Sequence, residues 1–340
     1  MASIPKPVAP PPVTASVPAG PGAFRRLLRQ REFILLLLLG AVIAFFAIQS
    51  PAARTERVYL DLIREMSPYV VAAIGMTLLM LAGELDISVG AMLALVGVVT
   101  VTIFNVTGNM WLGILAGLAM GPIIGCIYGF LVTRMGMNSL VTTLGGMFAI
   151  RGLVYVFTNK TPVIDQNGFK DFETLYHGEV GALPVPTLIA LALVILFVFI
   201  LSQTEFGRKV YAIGGNSTAA RVSGIRVDRH RFILFVLCST LAAISGLLIT
   251  AQTGSGYFDA GATGFELVVI SSVVLGGVSL AGGQGSLIGA IIGVFILGMT
   301  AKGLRLMGVQ TNQHLIVIGI VMMVAVFSHD VRGRLARLRR

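Results

Sequence analysis

The stretch "LAGELDISVGA", Leu81 to Ala91, places two carboxylates and two glycines between two apolar runs. An aspartate in mid-bilayer costs ~2.5–3.5 kcal/mol on insertion scales. At a helix break the cost is smaller, because free backbone groups are available to the acid. Gly83 and Gly90 allow a tight turn and a close approach of helices. The stretch therefore predicts a break between two membrane helices.

The composition around this stretch is that of a polytopic membrane protein. The chain has 340 residues, of which 56% are hydrophobic and only 12% charged. Soluble domains have about 45–50% apolar and ~25% charged residues. The net charge of +10 would suggest nucleic acid in a soluble protein. In a membrane protein, basic residues instead mark the cytoplasmic side, so no nucleic-acid partner is predicted.

Apolar runs along the chain predict an all-α fold of about ten transmembrane helices, since a span needs ~20 apolar residues. The first run imitates a signal peptide, but its proline-rich leader is long for one, which favours a retained span. The runs are 33–48, 68–83, 88–105, 110–132, 139–157, 187–202, 232–250, 265–281, 286–301 and 313–328.

The distribution of basic residues predicts the orientation. With the N-terminus inside, the inner segments hold 17 of the 25 Lys and Arg residues and the outer segments hold 7. Lys and Arg are enriched in cytoplasmic loops, so both termini are predicted to be cytoplasmic. We expect a disordered Pro/Ala-rich and basic tail over 1–31, a transmembrane domain over 32–329 and a basic tail over 330–340.

The acids of the opening stretch have several interpretations. Asp86 fits a cap for a helix that opens at Ile87. Alternatively, both acids accept protons from substrate hydroxyls, or they form a proton relay. Arg151 lies inside the fifth run and either snorkels to the outer surface or pairs with a buried acid. Glu266 opens the eighth run, where it fits the membrane interface.

The basic inner segment contains "GGNSTAARVSGI", which predicts a short helix. Asn216 or Ser217 is the cap, Thr218–Val222 the body and Gly224 the C-terminal stop. A helix this short is marginal alone, so something should brace it. A docking element for a cytoplasmic partner is favoured over a loop that faces anionic lipid.

A glycine-rich stretch, "LAGGQGS", extends from Leu280 to Ser286. It imitates the signature of ABC ATPases, but the chain has no G-x-x-x-x-G-K-[ST] phosphate loop. A turn that lets two helices pack closely is the better interpretation. The two cysteines and four histidines form no metal-ligand pattern, so no metal site is predicted. The candidate packing glycines are Gly83, Gly90, Gly276, Gly277, Gly282, Gly283 and Gly285.

Four separated segments carry a resemblance to a known family: "GMTLLMLAGELDISVGAMLAL" (75–95), "TLGGMFAIRGLVY" (143–155), "FGRKVYAIGGNSTAARVSGI" (206–225) and "VVLGGVSLAGGQGSLIGAIIG" (273–293). Together they resemble the permease subunit of bacterial ABC importers for monosaccharides, the ribose/arabinose/xylose class. The resemblance covers about 68–328, and two departures stand out. Glu84 occupies a position where the family usually has a small residue, and "MNS" (137–139) replaces a common proline–aromatic pair.

The resemblance implies a transport subunit of the bacterial inner membrane with no enzymatic activity and no cofactor of its own. Its partners would be a second permease subunit, identical or related, an ATP-binding subunit with two nucleotide-binding domains, and a periplasmic sugar-binding protein. The implied substrate pathway contains Glu84, Asp86, Ser88, Asn138, Arg151 and Glu266. The implied ATPase-coupling loop contains Gly207, Asn216, Thr218, Ala219, Ala220 and Gly224.

Two other functions fit the sequence less well. A proton-coupled secondary sugar transporter would use Glu84, Asp86 and Glu266 as a relay, and it would need no docking helix. A membrane-embedded hydrolase lacks H-E-x-x-H, paired intramembrane aspartates and a Ser/His set.

Overall fold

The computed structural model describes residues 31–166, 168, 170–262, 264–309, 316 and 319–320. This part of the chain contains twelve α-helices, four two-residue strands and one short 3-10 helix, Pro51–Arg54, which lies between the first two α-helices. In order they are α1 Arg31–Gln49, α2 Glu56–Leu81, α3 Val89–Thr107, α4 Met110–Thr133, α5 Ser139–Thr158, β1 Val163–Ile164, α6 Lys170–His177, β2 Glu179–Val180, β3 Leu183–Pro184, α7 Val185–Gln203, α8 Glu205–Gly215, α9 Ser217–Val222, α10 Val227–Thr253, β4 Ser255–Gly256, α11 Phe265–Leu275 and α12 Leu287–Leu306.

Eight of the described helices are long and apolar enough to cross a membrane: α1, α2, α3, α4, α5, α7, α10 and α12. The predicted all-α polytopic fold is therefore confirmed. Of the predicted tails, only Arg31 belongs to the described residues, where it begins α1. The tenth apolar run, 313–328, lies outside the described residues except at 316, 319 and 320.

The eighth apolar run departs from the prediction of a full span. Its helix, α11, has 11 residues and is about 16 Å long, too short for a hydrocarbon core ~30 Å thick. The helix ends because Gly277 adopts a φ of +92° directly after Gly276. Before α11, the chain returns alongside α3 in a non-helical segment, 254–262, in which β4 pairs with β1. The prediction of a span over 265–281 was wrong.

Small residues hold the centre of the bundle together. Lipid tails provide no hydrophobic force between helices, so close backbone contact replaces it. A Cβ on Gly75 of α2 would lie 2.9 Å from the Cα of Cys238 in α10. Gly121 and Gly125 of α4 leave the same narrow space for α10. Helices α2 and α4 therefore pack on α10 at distances that no larger residue permits.

Segments predicted to lie on one side of the membrane lie together at one end of the bundle. Tyr211 Oη donates to Gly285 O over 3.0 Å, and Ser286 Oγ donates to Glu32 Oε1 over 2.9 Å. At the other end, β1 pairs with β4. The grouping agrees with the predicted loops, while the choice of cytoplasmic end stays a prediction.

Candidate functional site

The break between α2 and α3 buries its polar side chains. Asp86 and Ser88 are fully buried, and Glu84 is 8% exposed. Asp86 Oδ1 accepts hydrogen bonds from Ser88 N over 2.8 Å and from Ser88 Oγ over 2.6 Å. The break is thus closed by a short polar turn of its own residues.

Asp86 was predicted to cap a helix that opens at Ile87, and this prediction was wrong about where the helix begins. Helix α3 begins at Val89 with Ser88 as N-cap, two residues later than expected. The N–H of Ile87 donates to Thr143 Oγ1 of α5 over 3.1 Å, which keeps Ile87 out of the helix. Asp86 instead bonds its own chain two residues on, the usual aspartate turn.

Two residues that the sequence did not single out lie beside Asp86. Tyr128 of α4 and Ser239 of α10 are buried neighbours of the Asp86–Ser88 turn. Asp86 Oδ2, Tyr128 Oη and Ser239 Oγ are buried close together, but none of them makes a well-aligned hydrogen bond with a described residue. Three elements therefore direct polar atoms toward one buried point. A polar residue in mid-run was the only available signal for Tyr128 and Ser239.

Glu84 pairs with a cation from the base of α10. Arg231 Nε lies 3.0 Å from Glu84 Oε1, and the two side chains are 25% and 9% exposed. The N–H does not align with the carboxylate as a hydrogen bond, so the attraction is electrostatic. A buried carboxylate is costly without such a partner.

Three glycine-containing turns are in close backbone contact next to the break. They are the turn at Gly83, the end of α8 at Gly214 and the turn at 282–283. Gly283 N donates to Leu81 O over 2.9 Å. A Cβ on Gly214 of α8 would lie well inside 3.0 Å of both of these atoms, closer than real Cβ atoms come. A Cβ on Gly282 would lie 2.9 Å from Gly83 N. The predicted packing turns therefore meet α8, a contact that the sequence did not indicate.

The other candidate packing glycines also lie at close contacts or in left-handed turns. Gly276 faces the backbone of Gly289 at the crossing of α11 and α12. Gly285 has a φ of +127° and packs on Val278. Gly90 leaves room for the Glu266 carboxylate, which a Cβ would displace.

The remaining candidates for the substrate pathway are divided between two places. Arg151 Nη1 donates to Ala260 O over 3.1 Å and lies 3.9 Å from Asp259 Oδ1. Arg151 therefore lies beside an acid, but Asp259 is 37% exposed and is not the buried acid of the prediction. Glu266 is in the first turn of α11, and its Oε2 is buried without a hydrogen-bond partner among the described residues. Asn138 lies apart, as the cap of α5.

The short helix of the basic segment, α9, has the predicted cap, body and stop. Asn216 Oδ1 accepts from Ala219 N over 2.9 Å. Gly224 ends the helix at a φ of +84°, and Ile225 N donates to Ala220 O. Ala220 is 5% exposed and packs inward, whereas Val222 is 85% exposed.

Helices on both sides hold α9. Arg221 donates two hydrogen bonds to Asp228 of α10, over 2.9 and 2.8 Å. This carboxylate raises the pKa of the Arg221 guanidinium, which stays charged at neutral pH. Gly207, in the first turn of α8, packs on the backbone of Leu201 in α7, where a Cβ would not fit, so α8 is itself held against α7. Of the predicted coupling residues, four are exposed and two are buried; the exposed ones are Asn216, Thr218, Ala219 and Gly224.

Comparison with known proteins identifies the family. A family model described as "branched-chain amino acid transport system / permease component" matches residues 58–326. The ribose import permease protein RbsC of Escherichia coli K12 is 36% identical over 304 residues, covering 88% of this chain and 93% of that protein. RbsC of Bacillus subtilis 168 is 37% identical, covering 86% and 89%. The L-arabinose permease protein AraH of Escherichia coli K12 is 34% identical, covering 78% and 80%. No solved structure matches.

The chain belongs to this family of permease components, as the resemblance indicated. It is a multi-pass transport subunit of the bacterial inner membrane and not an enzyme. Permeases of this kind operate with an ATP-binding subunit and a periplasmic binding protein. The alternative of a proton-coupled secondary transporter is not supported.

Proposed function

We propose that this chain is the permease subunit of an ATP-driven importer for a monosaccharide of the pentose type. The names of the relatives, ribose and L-arabinose permeases, support the substrate class. Two permease subunits, identical or related, would enclose the pathway. Glu84, Asp86, Ser88, Asn138, Arg151 and Glu266 are the proposed pathway residues.

The observation that carries the proposal is the way α9 is held and presented. A six-residue helix has little stability of its own. Here the Asn216 cap, the Arg221–Asp228 pair and the inward Ala220 fix it. The fixed helix leaves Val222 exposed beside short side chains. A rigid small surface of this kind is suited to insertion into a groove of the ATP-binding subunit.

The proposed action needs no covalent chemistry in this chain. ATP binding to the partner shifts the permease between inward-open and outward-open populations, and the partner must contact the two states differently. Helix α9 is the part of this chain that contacts the ATP-binding subunit, and α8 and α10 connect α9 to the break. The second permease subunit completes the pathway.

A pair of matched substitutions tests the docking surface. Val222→Glu should abolish copurification of the ATP-binding subunit and ATP-dependent uptake of ribose or L-arabinose into proteoliposomes. Val180→Glu is the control, because Val180 is 64% exposed at the opposite end of the bundle. It should retain the ATP-binding subunit. Ala220 is unsuitable, since a large side chain there would disturb the packing of α9 itself.

Two results would contradict the proposal. Undiminished capture of the ATP-binding subunit by Val222→Glu would remove α9 as the docking element. Sugar uptake that follows a proton gradient without ATP would restore the secondary transporter. Competition between ribose and L-arabinose in the same proteoliposomes identifies the preferred pentose.

A further inference from the structure

Two ion pairs lie between α9 and the break. Arg221 of α9 binds Asp228 through two hydrogen bonds. Asp228 and Arg231 are three residues apart on α10, so they lie on the same face of that helix. Arg231 then contacts Glu84. Positive and negative groups alternate along the whole series.

Glu84 is the most buried member of this series. Its side chain is 9% exposed, and Arg231 is the cation within 4 Å of it among the described residues. Two positions further along the chain, Asp86 fixes the start of α3 through Ser88. A displacement of Glu84 therefore acts directly on the buried turn that begins α3.

The position of Glu84 is also unusual in chemical terms. A partly buried acid is retained at a cost, and a matched cation offsets that cost only while the two stay together. Because the contact is not an aligned hydrogen bond, it tolerates rotation of α10 against the break.

We propose that the Glu84–Arg231 pair is a positioning contact that makes the α2–α3 break follow the movement of α9. The inference rests on the proposed function of α9 as the docking helix. Arg221 and Asp228 form the outer part of this link, and Glu84 and Arg231 form the inner part. The pair acts through the neighbouring turn of Asp86 and Ser88.

A charge exchange tests the link. Glu84→Gln and Arg231→Gln should each lower sugar uptake per ATP hydrolysed about tenfold, within the 5–150-fold range of typical coupling energies. The double variant Glu84→Arg with Arg231→Glu should restore the ratio to within about threefold, as expected for a pairwise interaction. Arg229→Gln is the control, since Arg229 is exposed and belongs to no ion pair of the described residues.

The ratio of uptake to hydrolysis separates coupling from stability. A purely structural role would lower both rates together, in proportion to the amount of folded complex. As a second measurement, hydrogen exchange of residues 79–92 in the complex should change with ATP in the wild type and in the exchanged variant, but not in the single variants.

Two outcomes would overturn the link. In one, the charge-exchanged complex assembles but stays as impaired as the single variants. In the other, the single variants keep the wild-type ratio. Failure of the wild-type complex to take up sugar would instead count against the proposed function. The hydrogen-exchange measurement still tests the link in that case, because it needs no substrate.

Discussion

Alanine at Gly214 should damage the protein, whereas alanine at the adjacent Gly215 should not. Both glycines end α8, and neither has a positive φ. A Cβ on Gly214 would collide with Leu81 O and Gly283 N, and it would lie 2.9 Å from the carbonyl carbon of Leu81. A Cβ on Gly215 would meet nothing within 4 Å. The two substitutions therefore differ in available space alone.

The expected loss of stability in Gly214→Ala follows from the atoms that the added Cβ would meet. They are backbone atoms of two other segments, so no rotamer change can make room. Overpacking costs about 1–3 kcal/mol. Separating the segments also weakens the Gly283–Leu81 hydrogen bond, worth about 0.5–1.5 kcal/mol. Alanine also stabilises a helix by up to about 1 kcal/mol relative to glycine, because its helix propensity is higher. We expect a net loss of about 1–4 kcal/mol for Gly214→Ala, and between no change and a gain of about 1 kcal/mol for Gly215→Ala.

Heating in detergent followed by size-exclusion chromatography measures this difference. Gly214→Ala should lose its monodisperse peak at a lower temperature than the wild type, while Gly215→Ala should match or exceed it. ATP-dependent uptake by Gly214→Ala should also fall, because the break and α8 no longer fit together. Equal thermal midpoints for the two variants would refute the interlocked packing of these turns.

Three further substitutions or fusions have definite expected results. Glu65→Gln should destabilise the protein by about 1–3 kcal/mol in the same heating assay, because two cations of α12 contact this carboxylate and one of them is buried. Gly146→Ala should cost about 1–3 kcal/mol through collision with a buried tyrosine of α4, and Gly145→Ala, with open space around it, should cost nothing. Reporter fusions after Gly181 should be periplasmic and fusions after Asn216 cytoplasmic; the reverse would invert the topology.

Local sequence signals were sufficient to predict most of the helices. An apolar run of adequate length predicts a span from its own residues, and the described spans follow those runs. The short helix α9 was equally accessible, because Asn216 and Gly224 are cap and stop signals within a few residues of each other. The eighth run was misjudged for a local reason too, since Gly276 and Gly277 interrupt it.

Contacts between distant segments were not predictable in the same way. Gly214 and Gly215 are identical in local sequence, yet only Gly214 faces another backbone. The partner of Glu84, Arg231, lies in a different predicted segment and resembles the other basic residues around it. Hydrophobic patterns record which residues leave water, but they do not specify which helix covers them.

The two kinds of contact around the break have different mechanical properties. Close packing has a steep energy, so the interlocked glycine turns of α8, the break and the α11–α12 connection behave as one rigid body. The Glu84–Arg231 attraction falls off gradually with distance and allows sliding. A movement of α9 therefore reaches the break in two ways. Through α8 it is transmitted by the close glycine packing, and through α10 it is transmitted by the more adjustable Glu84–Arg231 attraction. If α10 moves against this rigid body, the compliant contact is the one that adjusts. The structure thus places the adjustable contact at the Glu84–Arg231 pair.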